Sequence, residues 1–573
     1  MVKFKKIYDP IEMEVFTNRL LSITNDMGNI LIRSSFSTNI KERKDCSTAL
    51  FDSKGRCIAQ AAHMPMHLGS LLGSVRAVKA NFSNENIYDG DVFICNDPYL
   101  AQGTHMPDIT IVTPIFINKK LEFFATNVGH HSDVGGAVPG SISNKSKTIF
   151  EEGIRIPPIK IKNKGKINND LFNIIIINTR EPEERKLDLD VQIATNEKAK
   201  SLIFDLLANT SLKLIKQSIE DILNYTNLRI KKQFKKLKKG EYSFTRFMDH
   251  DGYGGEKVKI SVNVKIMSEE IILDFSKSSK QSRGGLNLPP NGLEATCYYA
   301  VKSLVDPEIM PNSGFYESIK IITKKGTITD PLFPAAVGSR AITANKVAGA
   351  IFGAMSKVIK KDRVMASSSD TVPAIVLSAM DKTDKNAFVY METIGGGHGA
   401  MFNSDGMDAT HVHTSNTSNL PAEALEIEYP LMVEEYALVN NSGGSGEFRG
   451  GLGIARQIKT LKDNTIFTVR ADSHKYGAPG VFGGKEGGKA KLYLNYKTNK
   501  EKILSSNTSY LLINKNESIR MQTPGGGGFG KCSKRSIKYL HTDLKNQKIM
   551  KNKIKKDFGK RVLDQVNKFK LPR

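Results

Sequence analysis

The 573-residue sequence contains no tryptophan and only five cysteines. Cys46, Cys57, Cys95, Cys297 and Cys532 form no CxxC pair and no even-numbered framework. That excludes a disulfide scaffold and suits a reducing compartment, where thiols behave as small buried residues. A nucleophilic thiol also needs a base, and none is paired in sequence with Cys46, the cysteine that follows a candidate site residue. No run approaches the ~20 apolar residues of a membrane span, and the densest, Leu171 to Ile177, is far too short. The opening MVKFKKIYDP is followed by no apolar h-region, so no signal peptide is expected and the chain is placed in the cytoplasm. Also missing are a complete GxxxxGK[ST] phosphate loop and a GxSxG nucleophile elbow. The nearest approach to the former, GGKEGGK at 483–489, is followed by Ala490, which has no hydroxyl to hold magnesium. A nucleotide-dependent reaction therefore needs another subunit.

Charge is present in excess, at +24, within an otherwise ordinary soluble composition of 39% hydrophobic and 25% charged residues. Its placement matters more than its size. Residues 531–573 hold fifteen Lys/Arg against three Asp/Glu, a surplus of 15 − 3 = 12 and half of the total. The remainder is spread thinly as lysine, and no helix-turn-helix, zinc-finger or RNA-binding signature accompanies it. Neither nucleic acid nor membrane is the expected partner, and the basic end reads as an appended helix or flexible tail.

The length implies several domains. An opening helix is marked by Asp9 as cap, Pro10 at its first position and Glu12 three residues after the cap, with apolar residues at helical spacing to about Ser34. Strands are expected at 47–52, 57–60, 91–95, 108–117 and 121–128, with a helix from Leu68 to Phe82. A long helix follows from about Leu187 to Lys238, then alternating strands to Phe275 and helices at 293–305 and 344–360. Beyond Glu426 the chain reads as β-rich and glycine-punctuated to Gly530. The fold class is thus α+β, a large mixed fold with antiparallel sheets. It divides into an N-terminal metal-site region (1–240), a middle α+β region (241–425), a β-rich region (426–530) and the basic tail (531–573).

Five of the eleven histidines fall between His63 and His131. His105 and Asp108 stand where a loop enters one strand, and His130 and His131 stand just past the end of the next. In an antiparallel pair those two places share one end of the sheet. His105 and His130 can therefore converge on one divalent ion, for which imidazole and carboxylate are good ligands; histidines that merely bond loop backbone are the bland alternative. Asp45 is a further candidate, as metal neighbour, proton acceptor or substrate contact. His63 and His67, four apart before or within a helix, could share a face but lack a third ligand and read as structural. GGGHG at 395–399 is open enough for backbone to approach an anion, without being a phosphate loop.

Taken together, NIKERKD at 39–45, HMPMHLGS at 63–70, NDPY at 96–99 with GTHMPD at 103–108, and GHHSDVGG at 129–136 resemble the hydantoinase B/oxoprolinase family. So do Pro139–Ser141, EEG at 151–153, the stretch 429–435, SGGSGEFRGGLG at 442–453, and 524–530. The resemblance implies a hydantoinase B-like fold and a subunit that works with an ATP-binding hydantoinase A partner in a hetero-oligomer. Such pairs open hydantoins, 5-oxoproline or similar cyclic amides. It further implies a divalent metal (manganese, zinc or iron) at His105, Asp108 and His130, the positions matching the manganese site of acetone carboxylase alpha subunits. Asp45 would then orient water or accept a proton, with His131 and Asp133 supporting. A ketone carboxylase alpha subunit and a non-catalytic scaffold for the partner are the alternatives. Gln102, where the family usually has glycine, and Cys46, where an aromatic is common, depart from the pattern without touching a proposed ligand.

Overall fold

The computed structural model describes residues 10–61, 63–379 and 387–569. Its first element is the expected helix, Pro10–Ser34, which buries Phe16, Leu20, Ile23, Met27 and Leu31 along one side. The proposed cap Asp9 lies outside the described residues. Seven strands follow: β1 (Cys46–Asp52), β2 (Cys57–Gln60), β3 (Val92–Cys95), β4 (Asp108–Ile117), β5 (Lys120–His130), β6 (Ile159–Asn163) and β7 (Lys166–Ile167). They form one antiparallel sheet in the order β2-β1-β5-β4-β3-β6-β7.

Period-two alternation decides what each face of this sheet meets. Ala49, Phe51, Val112, Phe124 and Val128 join the core beneath the helices His67–Asn81 and Pro290–Val305. Leu50, Ile115, Phe123 and Ala125 face the opposite way, onto the opening helix and the helices Pro182–Ala208 and Leu212–Lys236. Because helices cover both sides, β1, β3 and nearly all of β4 are buried.

A second sheet comprises β8 (Gly240–Met248), β9 (Val258–Ile266), β10 (Ile271–Asp274) and β11 (Ile319–Ile322), antiparallel except for the β10–β11 pair. It shares the first core with the helix Arg340–Met355. The remaining strands are β12 (Ala374–Ala379), β13 (Phe388–Thr393), β14 (Leu431–Leu438), β15 (Ile454–Thr460), β16 (Thr465–Arg470), β17 (Lys491–Leu494), β18 (Lys502–Ile503), β19 (Leu511–Ile513) and β20 (Ser518–Gln522). They make two antiparallel sheets, β13-β12-β16-β19 and β14-β15-β20-β17-β18, around one apolar core. The mixed α+β class with antiparallel sheets is as expected. The strands at 374–393 pair with those of the glycine-punctuated region rather than with the middle sheet.

The single long helix expected over 187–238 is instead two, Pro182–Ala208 and Leu212–Lys236. Asn209 and Thr210 separate them, and the Ser211 side chain accepts the amide of Leu214, restarting the helix. Ser211→Ala should lower the local stability of this turn by about 1 kcal/mol, and amide exchange at the start of Leu212–Lys236 should quicken roughly fivefold. Unchanged exchange there would show that tertiary packing alone fixes the restart.

The basic end is helical. Ile537–Lys545, Lys551–Phe558 and Lys560–Lys568 close over a small cluster of Leu540, Ile549, Ile554 and Val566. Ion pairs dock it: Arg535 to Asp405 at 2.8 Å, Lys548 to Asp408 at 2.7 Å and Lys485 to Asp557 at 2.7 Å.

Candidate metal centre

Three strands of the first sheet present their ends together. In the β4–β5 hairpin Asp108 pairs directly with His130. On the far side of β5, Cys46 of β1 pairs with Gly129, and the His130 amide donates to the Asp45 carbonyl at 3.0 Å. Asp45, His130 and Asp108 thus stand in a row on one face, the face carrying Ala49, Val112 and Val128. The helix His67–Asn81 packs over that face and places His67 above the row.

His105 arrives from the loop before β4. Its Nδ1 lies 3.2 Å from the Gly338 carbonyl and its Nε2 3.0 Å from Asp108 Oδ1. Donation by Nδ1–H to the carbonyl leaves the Nε2 lone pair turned toward the cluster. The other Asp108 oxygen accepts from the Thr104 hydroxyl at 2.6 Å and from Arg340 Nη2 at 2.5 Å. The His130 ring lies 5.0 Å from that of His105, and its Nδ1 is buried without a hydrogen-bond partner. One ligand atom from each of His105, Asp108 and His130 falls within 4.8 Å of the others, and all three residues are buried.

Electrostatics agree with this arrangement. Burial alone would raise the Asp108 carboxyl, but His105, Arg340 and His67 hold it well below the usual carboxylate range. Burial, reinforced by Arg340, takes His105 down to about 4. Burial and then His105 push His130 well below its ordinary value. Two neutral imidazoles and one carboxylate form a set suited to manganese, iron or zinc, and such an ion would satisfy the otherwise unpartnered His130 nitrogen.

A cavity of about 40 Å³ opens beside the cluster, walled by Asp45, His67, His130, Arg340 and Arg470. It holds a few water-sized groups. Asp45 Oδ1 is 3.4 Å from His67 Nε2, which is itself 3.6 Å from Asp108 Oδ1. Burial raises the Asp45 carboxyl, against the pull of His67 and Arg43. His67 therefore belongs to this site and is not merely structural; no spacing rule marks it, because its partners come from strand ends far along the chain. Arg340 and Arg470 were equally invisible, as single arginines opening a helix and closing β16.

The other expected residues lie elsewhere. His131 is one position beyond His130, so its side chain leaves the opposite face and Nε2 meets Gln192 Oε1 at 2.9 Å. Asp133 accepts from the amides of Gly135, Gly140 and Arg180 and from Arg180 Nη1, tying its loop to the chain at 180. Cys46 is buried and its thiol is pushed far up by burial and then by Asp45, which disfavours the nucleophilic thiolate. His63 packs against Gly28. The GGGHG loop approaches backbone rather than an anion: a Cβ on Gly397 would sit 2.0 Å from the Gly451 carbonyl, and Gly397 N donates to Pro524 O.

Residues 9–532 match the Hydantoinase B/oxoprolinase family. The chain belongs to that family. It is 29% identical over 576 residues to a chain of Pseudomonas sp. strain NS671 whose name makes it one subunit of a D-/L-hydantoinase, covering 98% of this chain and 96% of that one. A 5-oxoprolinase of Dictyostelium discoideum is 32% identical over 530 residues, which are 91% of this chain and 40% of that enzyme. Among solved structures, the ATP-dependent caprolactamase of Pseudomonas jessenii superposes with a TM-score of 0.89 at 25% identity, covering 96% of each chain. An acetone carboxylase superposes at 0.90, but at 17% identity it speaks for the fold alone.

Proposed function

We propose that this hydantoinase B family member is the metal-binding subunit of an ATP-dependent enzyme that opens cyclic amides, a hydantoin, 5-oxoproline or similar lactam. It acts with an ATP-binding partner of the hydantoinase A kind, in a cytoplasmic hetero-oligomer. The observation that carries this reading is the convergence of His105, Asp108 and His130 beside a cavity bearing Asp45 and His67. Support comes from the relatives: one is named as a subunit, and another named enzyme is an ATP-dependent lactamase. All five cysteines are unpaired, in keeping with a reducing compartment, and among the described residues no helix is long and apolar enough to cross a membrane.

Resonance protects an unstrained amide from water, so activation with ATP in the partner, by phosphorylation of the amide oxygen, is the first requirement. His105 Nε2, Asp108 Oδ1 and His130 would hold the divalent ion, which when bound supplies Lewis acidity and makes water more acidic. Thr104 and Arg340 fix the second Asp108 oxygen, so the first is aimed at the cluster. Glu152 accepts from the amides of Val337 and Gly338 and so sets the Gly338 carbonyl that orients His105. Asp45, with raised proton affinity and an unbonded Oδ1, takes the proton of the attacking water, and His67 beside it orients that carboxylate.

Elemental analysis by mass spectrometry tests the reading. Wild-type chain should carry near-stoichiometric manganese, zinc or iron, and the His105→Ala/Asp108→Ala double variant should carry none. Metal present in the wild type and lost from the double variant would justify screening cyclic amides with ATP and the partner. No metal in either protein, even after reconstitution with the partner, would remove the metal from the mechanism.

A further inference from the structure

Arg470 is the charged residue that this mechanism leaves without a task. It ends β16, is 4% exposed and lines the cavity beside Asp45, His130 and Arg340. Its Nε is buried with no hydrogen-bond partner, and among the described residues its guanidinium makes no ion pair. The neighbouring guanidiniums are engaged. Arg43 donates to Asn39, to the Met391 carbonyl and to Thr393, and Arg340 donates to Asp108.

Asp45 and Asp108 act on Arg470 from across the cavity, and each already has another arginine beside it: Asp45 faces Arg43 at 3.9 Å and Asp108 meets Arg340 at 2.5 Å. Burial, and then Arg340, drive the Arg470 guanidinium down to about 9, against the opposing pull of Asp45 and Asp108. A strand-end arginine serving as a structural strut would bond to backbone carbonyls or a carboxylate, and this one does not. Burying a guanidinium without a partner is costly, and one that also faces a cavity is placed to pair with a ligand. Its planar fork matches the edge of a phosphate or carboxylate.

We infer that Arg470, with Arg340 beside it, forms an oxyanion subsite that receives the phosphoryl group of an activated substrate. This rests on the proposed function, because that reading is what delivers a phosphorylated amide to the cavity. It adds the recognition element: an activated substrate carries a phosphate-class anion and an unactivated amide does not. The subunit would thereby accept only substrate its partner has already processed. Met64, Met66 and Val372 on the same wall exclude water from the contact.

Calorimetric titration of the full chain tests this with two probes, inorganic phosphate and methyl phosphate, the latter standing for a phosphoryl group borne on carbon–oxygen. Both should bind wild-type chain. Arg470→Gln should weaken both about tenfold or more, and Arg470→Lys, which keeps the charge and loses the fork, should fall between. Circular dichroism and metal content of the variants should match wild type, since Arg470 is not among the proposed ligands; if the Gln variant fails to fold, the Lys variant decides. Equal binding by wild type and variants overturns the subsite. Binding of inorganic phosphate with exclusion of methyl phosphate overturns the substrate-borne assignment in favour of a site for released phosphate. Titrations of chelator-treated and metal-loaded chain separate the two ideas: absence of metal sinks the metal centre alone, whereas binding independent of Arg470 sinks this inference alone.

Discussion

Asp45→Asn should retain the bound metal and lose turnover by about 10²–10⁴-fold, the range expected for removal of a positioned general base. The substitution preserves shape and removes proton affinity. It leaves the three proposed ligands untouched, because Asp45 approaches them only through His67, at 3.4 Å, and through its place next to His130 in the strand row. What makes this carboxylate suitable is its setting. It is buried, so its proton affinity rises, and His67 and Arg43 only partly offset that rise. Its Oδ1 has no hydrogen-bond partner and is free to accept from water. The measurement is kcat of the complex with the ATP-binding partner on a cyclic amide that the wild type opens, with metal content determined on the same preparation. An acidic limb present in the wild-type pH profile and absent from the variant would identify Asp45 as the titrating base. Unchanged kcat with full metal would reduce Asp45 to a strand-end ion-pair partner of Arg43. Lost metal would instead make it part of the ion's support.

The convergence of His105, Asp108 and His130 was legible in the sequence for a specific reason. Asp108 and His130 lie at one end of a single hairpin and His105 in the loop that enters it, so local spacing and strand alternation fix relative positions before any tertiary contact is known. The same alternation, applied one residue further, excludes His131 from the face, and the structure shows it turned to Gln192. Asp133 looked equivalent because it shares the motif, yet backbone amides and Arg180 consume both its oxygens. His67, Arg340 and Arg470 were not legible, since each joins the site through packing of a helix or a distant sheet and no sequence periodicity reports that. The boundaries of β1 to β5 were legible to within two residues, because β-branched and aromatic alternation is strong there, whereas the short, lysine-rich β6 and β7 carry no such pattern and were not. The break between Ala208 and Leu212 escaped notice because apolar periodicity resumes on its far side; a lone Ser211 was its sole local signal.

Glu392→Ala should destabilise the two C-terminal sheets by about 3–5 kcal/mol, the cost of stripping one partner from a buried ion pair. Glu392 is on β13 and Arg456 on β15, so their 2.7 Å contact joins the two sheets across their shared core, with neither side chain exposed. The carboxylate also accepts from the Tyr390 hydroxyl at 2.6 Å and the Leu420 amide at 2.8 Å. Its removal therefore strips the counter-charge from a buried guanidinium and orphans a hydroxyl and an amide at once in a low-dielectric setting, where each is costly. Arg456→Met should be milder, because the Glu392 oxygens keep Tyr390 and Leu420 while the methionine fills much of the vacated volume. Amide exchange along β12 and β15 reads the effect locally, without requiring a chain of several sheets to unfold in one step. Acceleration of roughly two to four powers of ten in Glu392→Ala, with a smaller change in Arg456→Met, is the expected order. The reverse order would mean that the guanidinium, held also by the Leu420 carbonyl, is the member that ties the sheets together.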